Sequence, residues 1–242
     1  MCSILPPRQP HRKGRVGPIL FAHSGIRDHR GHPDDRDDTM APMRQRFEGF
    51  IAGVGSTSGI RVVVGHWPRS PFGSFTDAMV ERADGHRILL APTAEVQDFV
   101  AATYTFDETR IEPTTASAGS RLWQVTSPSL DLTLTLGTRR PLGWLLHGIP
   151  TSVATSAAWA TAIDPIARVT MRGVRTRGIA RPGRREWYAA TDLTRVLSIR
   201  GRLDGTDLGL IAPVDPPCRF GFSSTPRSPS VTSVVTTVEV HD

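Results

Sequence analysis

Beyond residue 46, apolar and polar positions alternate along most of the chain with the two-residue period of strands, and two segments depart from it toward a helical period. The clearest alternation is LDLTLTL, in which Leu130, Leu132, Leu134 and Leu136 share one face and Asp131, Thr133 and Thr135 the other. It predicts a strand over 129–136 with one buried face. The β-branched run IRVVVGHW at 60–67 predicts another. SFTDAMVERADGHRILLAP then reads as two strands joined at Ala83-Asp84-Gly85, where glycine can take the positive φ of a tight hairpin. Further strands are expected over 104–112, 121–127, 166–177, 185–191, 195–203, 218–223 and 230–240. The last contains VTSVVTTV, β-branched throughout, as suits a central strand buried on both faces.

The two helical segments are short. Thr93 follows Pro92 as a candidate N-cap, and Val96, Phe99, Val100 and Tyr104 recur at helical spacing, which predicts a helix over 93–103. Pro150, Ser152 and a run of alanines predict a second over 151–163, stopped before Pro165. Many short strands separated by turn signals, with two helices and no fixed-period repeat, predict a mostly β protein. The expected architecture is a single antiparallel β-barrel or a strongly curved half-barrel sheet.

Residues 1–42 break the pattern. They are rich in histidine, proline, aspartate and arginine, and they carry too little apolar surface to offset the entropy of ordering. A disordered leader is expected there, followed by a single β-rich domain over 43–242. A translation start at Met40 or Met43 would leave that domain intact. His23, His29, His32 and the aspartates after them are metal-ligand types, but their spacing matches no zinc signature, so no metal site is expected.

Composition narrows the chemistry. Of 29 lysines and arginines only Lys13 is a lysine, and it lies in the leader. Schiff-base, pyridoxal and Walker-lysine mechanisms are therefore disfavoured, and no cofactor is expected. Cys2 and Cys218 cannot build a disulfide framework. Two free thiols, no secretory signal and no apolar run of membrane-spanning length point to a cytoplasmic protein without a membrane partner. The formal charge of +6 would favour acidic partners only if it were gathered on one face. Dinucleotide, P-loop, zinc-protease and nucleophile-elbow motifs are absent. Gly53–Gly59 (GVGSTSG), lacking a convincing strand before it and a helix after it, reads as a flexible loop rather than a phosphate cradle.

Three constellations remain. In HWPRSPFGSFTD, His66 and Asp77 flank a turn-rich connection; pairing of the two strands could bring them together as a general base and its orienting carboxylate, with Trp67 beside them. The pattern from Ser70 through Gly73 and Phe75 to Asp77 resembles one in barrels of the acetoacetate decarboxylase type. The resemblance is confined to this segment. It implies a barrel but not the decarboxylase activity, whose Schiff-base lysine has no counterpart after Lys13.

The second constellation is MRGVRTRGIARPGRREWY. Arg181 and Arg184 fit the tip of a hairpin, whereas Arg172, Arg175, Arg177 and Arg185 lie on or beside strand and could bind a carboxylate or phosphate. Trp187 and Tyr188 would supply stacking surface. Single-stranded nucleic acid is a further candidate for this cluster, disfavoured because no other basic stripe follows residue 42. The third is the C-terminal segment with Cys218, Ser223 and Ser224; the thiol is expected to be buried and inert, and no histidine neighbours the serines. Together these features predict a small-molecule-binding β-barrel whose ligand is apolar or aromatic with an anionic group. The alternative is an enzyme using His66 and Asp77 in the same cavity.

Overall fold

The computed structural model describes residues 43–150, 153, 156, 159, 161, 174–181 and 184–240. The expected leader lies outside the described residues, as do most of the expected helix over 151–163 and most of the expected strand over 166–177. Residues 41–242 form one compact unit.

Among the described residues, thirteen strands and two helices are given by their full ranges. They are β1 (Met43–Ser56), β2 (Arg61–Arg69), β3 (Phe75–Glu81), β4 (Arg87–Ala91), α1 (Ala94–Thr103), β5 (Glu108–Ile111), β6 (Thr115–Ala118), β7 (Leu122–Thr126), β8 (Leu130–Arg139), α2 (Pro141–His147), β9 (Arg177–Arg181), β10 (Arg184–Leu203), β11 (Thr206–Asp207), β12 (Ile211–Ala212) and β13 (Ser230–Val240). Ten of them form one continuous path, β5-β4-β3-β2-β1-β13-β10-β8-β7-β6, which curls through 241° as a half-barrel. The sheet is antiparallel except at β4 and β5, which run parallel, so it is mixed rather than wholly antiparallel.

Local sequence explains the turns and caps. Gly85, at φ 90°, closes the β3–β4 hairpin by donating its N–H to the Arg82 carbonyl. The Ser70-Pro71-Phe72-Gly73 turn between β2 and β3 is tied by the Ser70 hydroxyl, which donates to the Gly73 carbonyl at 2.6 Å and accepts from the Phe72 N–H at 3.0 Å. Thr93 caps α1, its Oγ1 accepting from the Val96 N–H. The second helix of the described residues, α2, begins at Pro141 and was not expected from the sequence; proline's fixed φ and missing N–H suit a first helical turn. The two strands expected over 185–191 and 195–203 are one long strand, β10, kept continuous by a bulge between Ala190 and Asp192. Gly53 to Ser56 belong to β1 and are not a loop, and residues 218–223 form no strand.

Both faces of the curled sheet are covered. Strands β2 to β4 and β7 to β8 stand on opposite limbs, yet Val62, Val80 and Leu90 from one limb share a buried core with Trp123, Val125 and Leu132 from the other. That core fills the interior of the curl. The residues between them in sequence point to the outer face, where Phe47, Phe75, Leu89 and Val238 pack under Val96 and Val100 of α1. Val63 packs there against Val214, Cys218 and Phe220 of the segment 213–229. Each such side chain, fully buried, contributes about 1.5–3 kcal/mol.

An ion pair fixes the 213–229 segment to the sheet. Glu81, fully buried at the end of β3, meets Arg61 Nη2 at 3.0 Å, and its other oxygen accepts the Arg219 main-chain N–H at 2.8 Å. The carboxylate thus ties two strands and the covering segment together.

Candidate functional site: a cavity on the outer face

A cavity of about 180 Å³ lies on the outer face, between the sheet, α1, α2 and the 213–229 segment. It lies on the face opposite the core that fills the interior of the curl. Strand alternation decides which side chains reach it. Ile51, Val63, Gly65, Asp77 and Met79 do so from β1 to β3, and Tyr188, Ala190, Thr232 and Val234 from β10 and β13. Phe99 and Val100 approach from α1, Leu142 and Leu146 from α2, and Cys218, Phe220, Ser223 and Thr225 from the covering segment. The wall is largely aromatic and aliphatic.

Asp77 is the carboxyl group on this wall. It is 3% exposed, and its Oδ1 accepts the Trp67 indole N–H at 3.0 Å. Among the described residues no cation pairs with it. Burial pushes the carboxyl up to about 7, only partly opposed by the Trp67 hydrogen bond. Gly65 faces Asp77 across the β2–β3 ladder, and a Cβ there would collide with both Asp77 Oδ1 and Trp67 Nε1. The missing side chain is what lets the carboxyl lie across the strand and reach the indole.

A second polar group lies behind the cavity wall. The Tyr104 hydroxyl donates to both oxygens of Glu186, at 2.7 and 2.9 Å, and lies 2.7 Å from the Tyr188 hydroxyl. Glu186 is 2% exposed, and burial pushes it up to about 7 against the hydrogen bonds of the two tyrosines. Burial also holds both phenols well above their usual range, with the nearby Glu186 charge adding to the effect. The Cys218 thiol is pushed up to about 12, first by burial and then by the charge of Glu81.

The structure divides the candidates taken from the sequence. Trp67, Asp77, Arg175 and Tyr188 border the cavity. His66 does not. It pairs with Thr76 across the ladder while Asp77 pairs with Gly65, so the two point to opposite faces of the sheet. The imidazole Nδ1 lies 2.9 Å from Thr76 Oγ1, the ring stacks on Phe50 in the interior, and burial lowers its pKa. The expected His66–Asp77 pair is therefore not formed: neighbouring ladder positions alternate in direction. Arg185 and Trp187 lie on the face opposite Tyr188, Arg185 exposed and Trp187 buried beneath the Arg44 guanidinium. Arg175 is exposed at the rim, where its main chain is clasped by the Ser223 hydroxyl. Arg172 and the Arg177 side chain lie outside the described residues.

Tyr104, Glu186 and Thr225 went unrecognised in the sequence. Glu186 carried one signal, as the first carboxylate after a run of arginines. Tyr104 was legible only as a helical-spacing residue, because its hydroxyl partner is 82 positions away. Many other arginines are paired: Arg82 and Arg110 with Asp204, Arg87 with Asp107, and Arg139 with Asp192. Among the described residues no group of three or more His, Cys, Asp or Glu side chains is placed to hold a metal ion, and no helix is long and apolar enough to cross a membrane.

No protein-family model matches the sequence, and no curated protein matches it. Among solved structures, the chain is similar to acetoacetate decarboxylase from Legionella pneumophila subsp. pneumophila, with 8% identity, 87% of this chain and 91% of that chain covered, and a TM-score of 0.38.

Proposed function

We propose that the protein binds an apolar or aromatic small molecule in the outer-face cavity, with an anionic group of the ligand meeting Arg175 at the rim. The observation that carries this reading is a cavity of about 180 Å³ walled by Phe47, Trp67, Phe75, Phe99 and Tyr104. Apolar cavities of about 150 Å³ hold a benzene ring in place of water. The volume therefore suits one ring with a short substituent, and the few polar groups on the wall would orient it.

Calorimetric titration of the full chain with 3-phenylpropionate tests this. One saturable site is expected, lost in Ala190→Phe, which fills the cavity, and several-fold weaker in Arg175→Ala. Absence of binding by both 3-phenylpropionate and neutral benzyl alcohol would sink the reading.

A second reading, an enzyme acting in the same cavity, is favoured by the position of Asp77. A buried carboxyl near neutrality can both take and give a proton. In that case Asp77→Asn abolishes turnover, whereas His66→Ala, on the other face, leaves it.

A further inference from the structure

We propose that the cavity selects ligands carrying an ammonium group, seated against the Asp77 carboxylate between the rings of Trp67 and Phe75. The proposal rests on the reading that the cavity holds a small molecule, but not on the anionic group at its rim.

Three observations carry it. Asp77 is a buried carboxyl on a cavity wall, and the one side-chain donor to it is the Trp67 indole at Oδ1, its own main-chain N–H being the other donor beside it. Buried carboxylates are ordinarily matched by a cation, as Glu81 is by Arg61. For Asp77 the chain supplies no such partner among the described residues, so the cation that would match its ionised form can come from a ligand.

The surroundings of the carboxyl suit a cation. Trp67 and Phe75 pair across the β2–β3 ladder two positions along and so on the same face as Asp77, their ring centroids 6.5 Å apart, with Phe47 at 5.8 and 6.4 Å from them. All three rings line the cavity. Aromatic faces attract a cation and disfavour an anion. An ammonium group offers several N–H donors to the remaining acceptor sites of Asp77, and its charge relieves the burial penalty on the carboxylate. A hydroxyl would supply the hydrogen bond without the charge. Gly65 keeps this corner open, since any side chain there would displace the carboxyl.

Among the described residues, the other titratable groups facing the cavity are Tyr104, Tyr188, Cys218 and Arg175, with Glu186 behind the tyrosines. Burial holds both phenols and the thiol protonated at neutral pH. Only Asp77 and Glu186 change charge near pH 7. Binding an ammonium selects ionised Asp77, so affinity rises with pH through neutrality and one proton is released per ligand below it.

The test is calorimetric titration of the full chain with benzylamine, benzyl alcohol and benzoate, at pH 8 and pH 5.5. Benzylamine is expected to bind the wild type about tenfold or more tightly than benzyl alcohol at pH 8, the difference that a charge-assisted hydrogen bond makes. The preference should shrink at pH 5.5 and vanish in Asp77→Asn, while Glu186→Gln keeps it. Benzyl alcohol or benzoate binding as tightly as benzylamine at pH 8 overturns the proposal and leaves the cavity reading standing. No binding by any of the three overturns both.

Discussion

At the scale of single residues, the decisive groups are two buried carboxyls raised in pKa for the same reason. Folding removes Asp77 and Glu186 from water, which favours their protonated forms. The folded chain therefore keeps protons that the unfolded chain releases between about pH 4 and pH 7. The stability owed to Asp77 is fully present below its unfolded pKa and declines as pH rises to about 7. Asp77→Asn cannot ionise, so its stability in urea should gain on the wild type by about 2–4 kcal/mol between pH 4 and pH 8. Carboxylates held low by arginine, Asp107 and Asp204 among them, shift the curve the other way but cancel in this difference. Parallel pH profiles would show that Asp77 is not desolvated. Tyr104→Phe removes a donor that is stronger toward the charged Glu186 carboxylate than toward its protonated form, along with the contact to Tyr188, so it should cost about 1–3 kcal/mol at pH 8 and less at pH 5. Cys218, its thiol raised to about 12, should resist iodoacetamide in the folded chain at pH 8 and label once urea unfolds it, as read by peptide mass spectrometry. Asp77 and Tyr188 stood out in the sequence as chemical types. The Glu186 cluster did not, because the phenol that holds it comes from a distant part of the chain.

At the scale of elements, strands were legible where alternation was strict. The leucine face of β8 packs in the interior, and β-branched β13 lies between β1 and β10 with Val231 buried on one face and Val238 on the other. The 213–229 segment was misread because its apolar residues, Val214, Cys218 and Phe220, serve as plugs on the sheet and make no ladder. What holds the segment is a long-range ion pair that periodicity cannot reveal. Glu81→Ala leaves Arg61, whose side chain is 7% exposed, with an unmatched buried charge and should destabilise the fold by about 3–5 kcal/mol in urea titrations. Arg219→Ala should cost no more than about 1 kcal/mol, since that side chain is 70% exposed and Glu81 keeps Arg61. Equal losses would mean that the segment is held by something other than the buried pair.

At the scale of the whole molecule, one curled sheet has a packed interior and a hollow outer face. The expectation of a half-barrel was sound because strand count and alternation bound the architecture. The place of the cavity was not legible, since both faces of β1 to β3 are rich in apolar residues and only the covering elements show which one is left incompletely filled. That choice of face also separated His66 from Asp77 and left only Arg175, among the arginines whose side chains are described, at the cavity. The most direct measurement is a crystal of the full chain soaked with 4-bromobenzylamine. The account predicts an anomalous bromine peak among Phe47, Phe99 and Tyr104, with the amine nitrogen within about 3 Å of an Asp77 oxygen. Bromine found only on the surface, with the cavity closed by its own side chains, would contradict it.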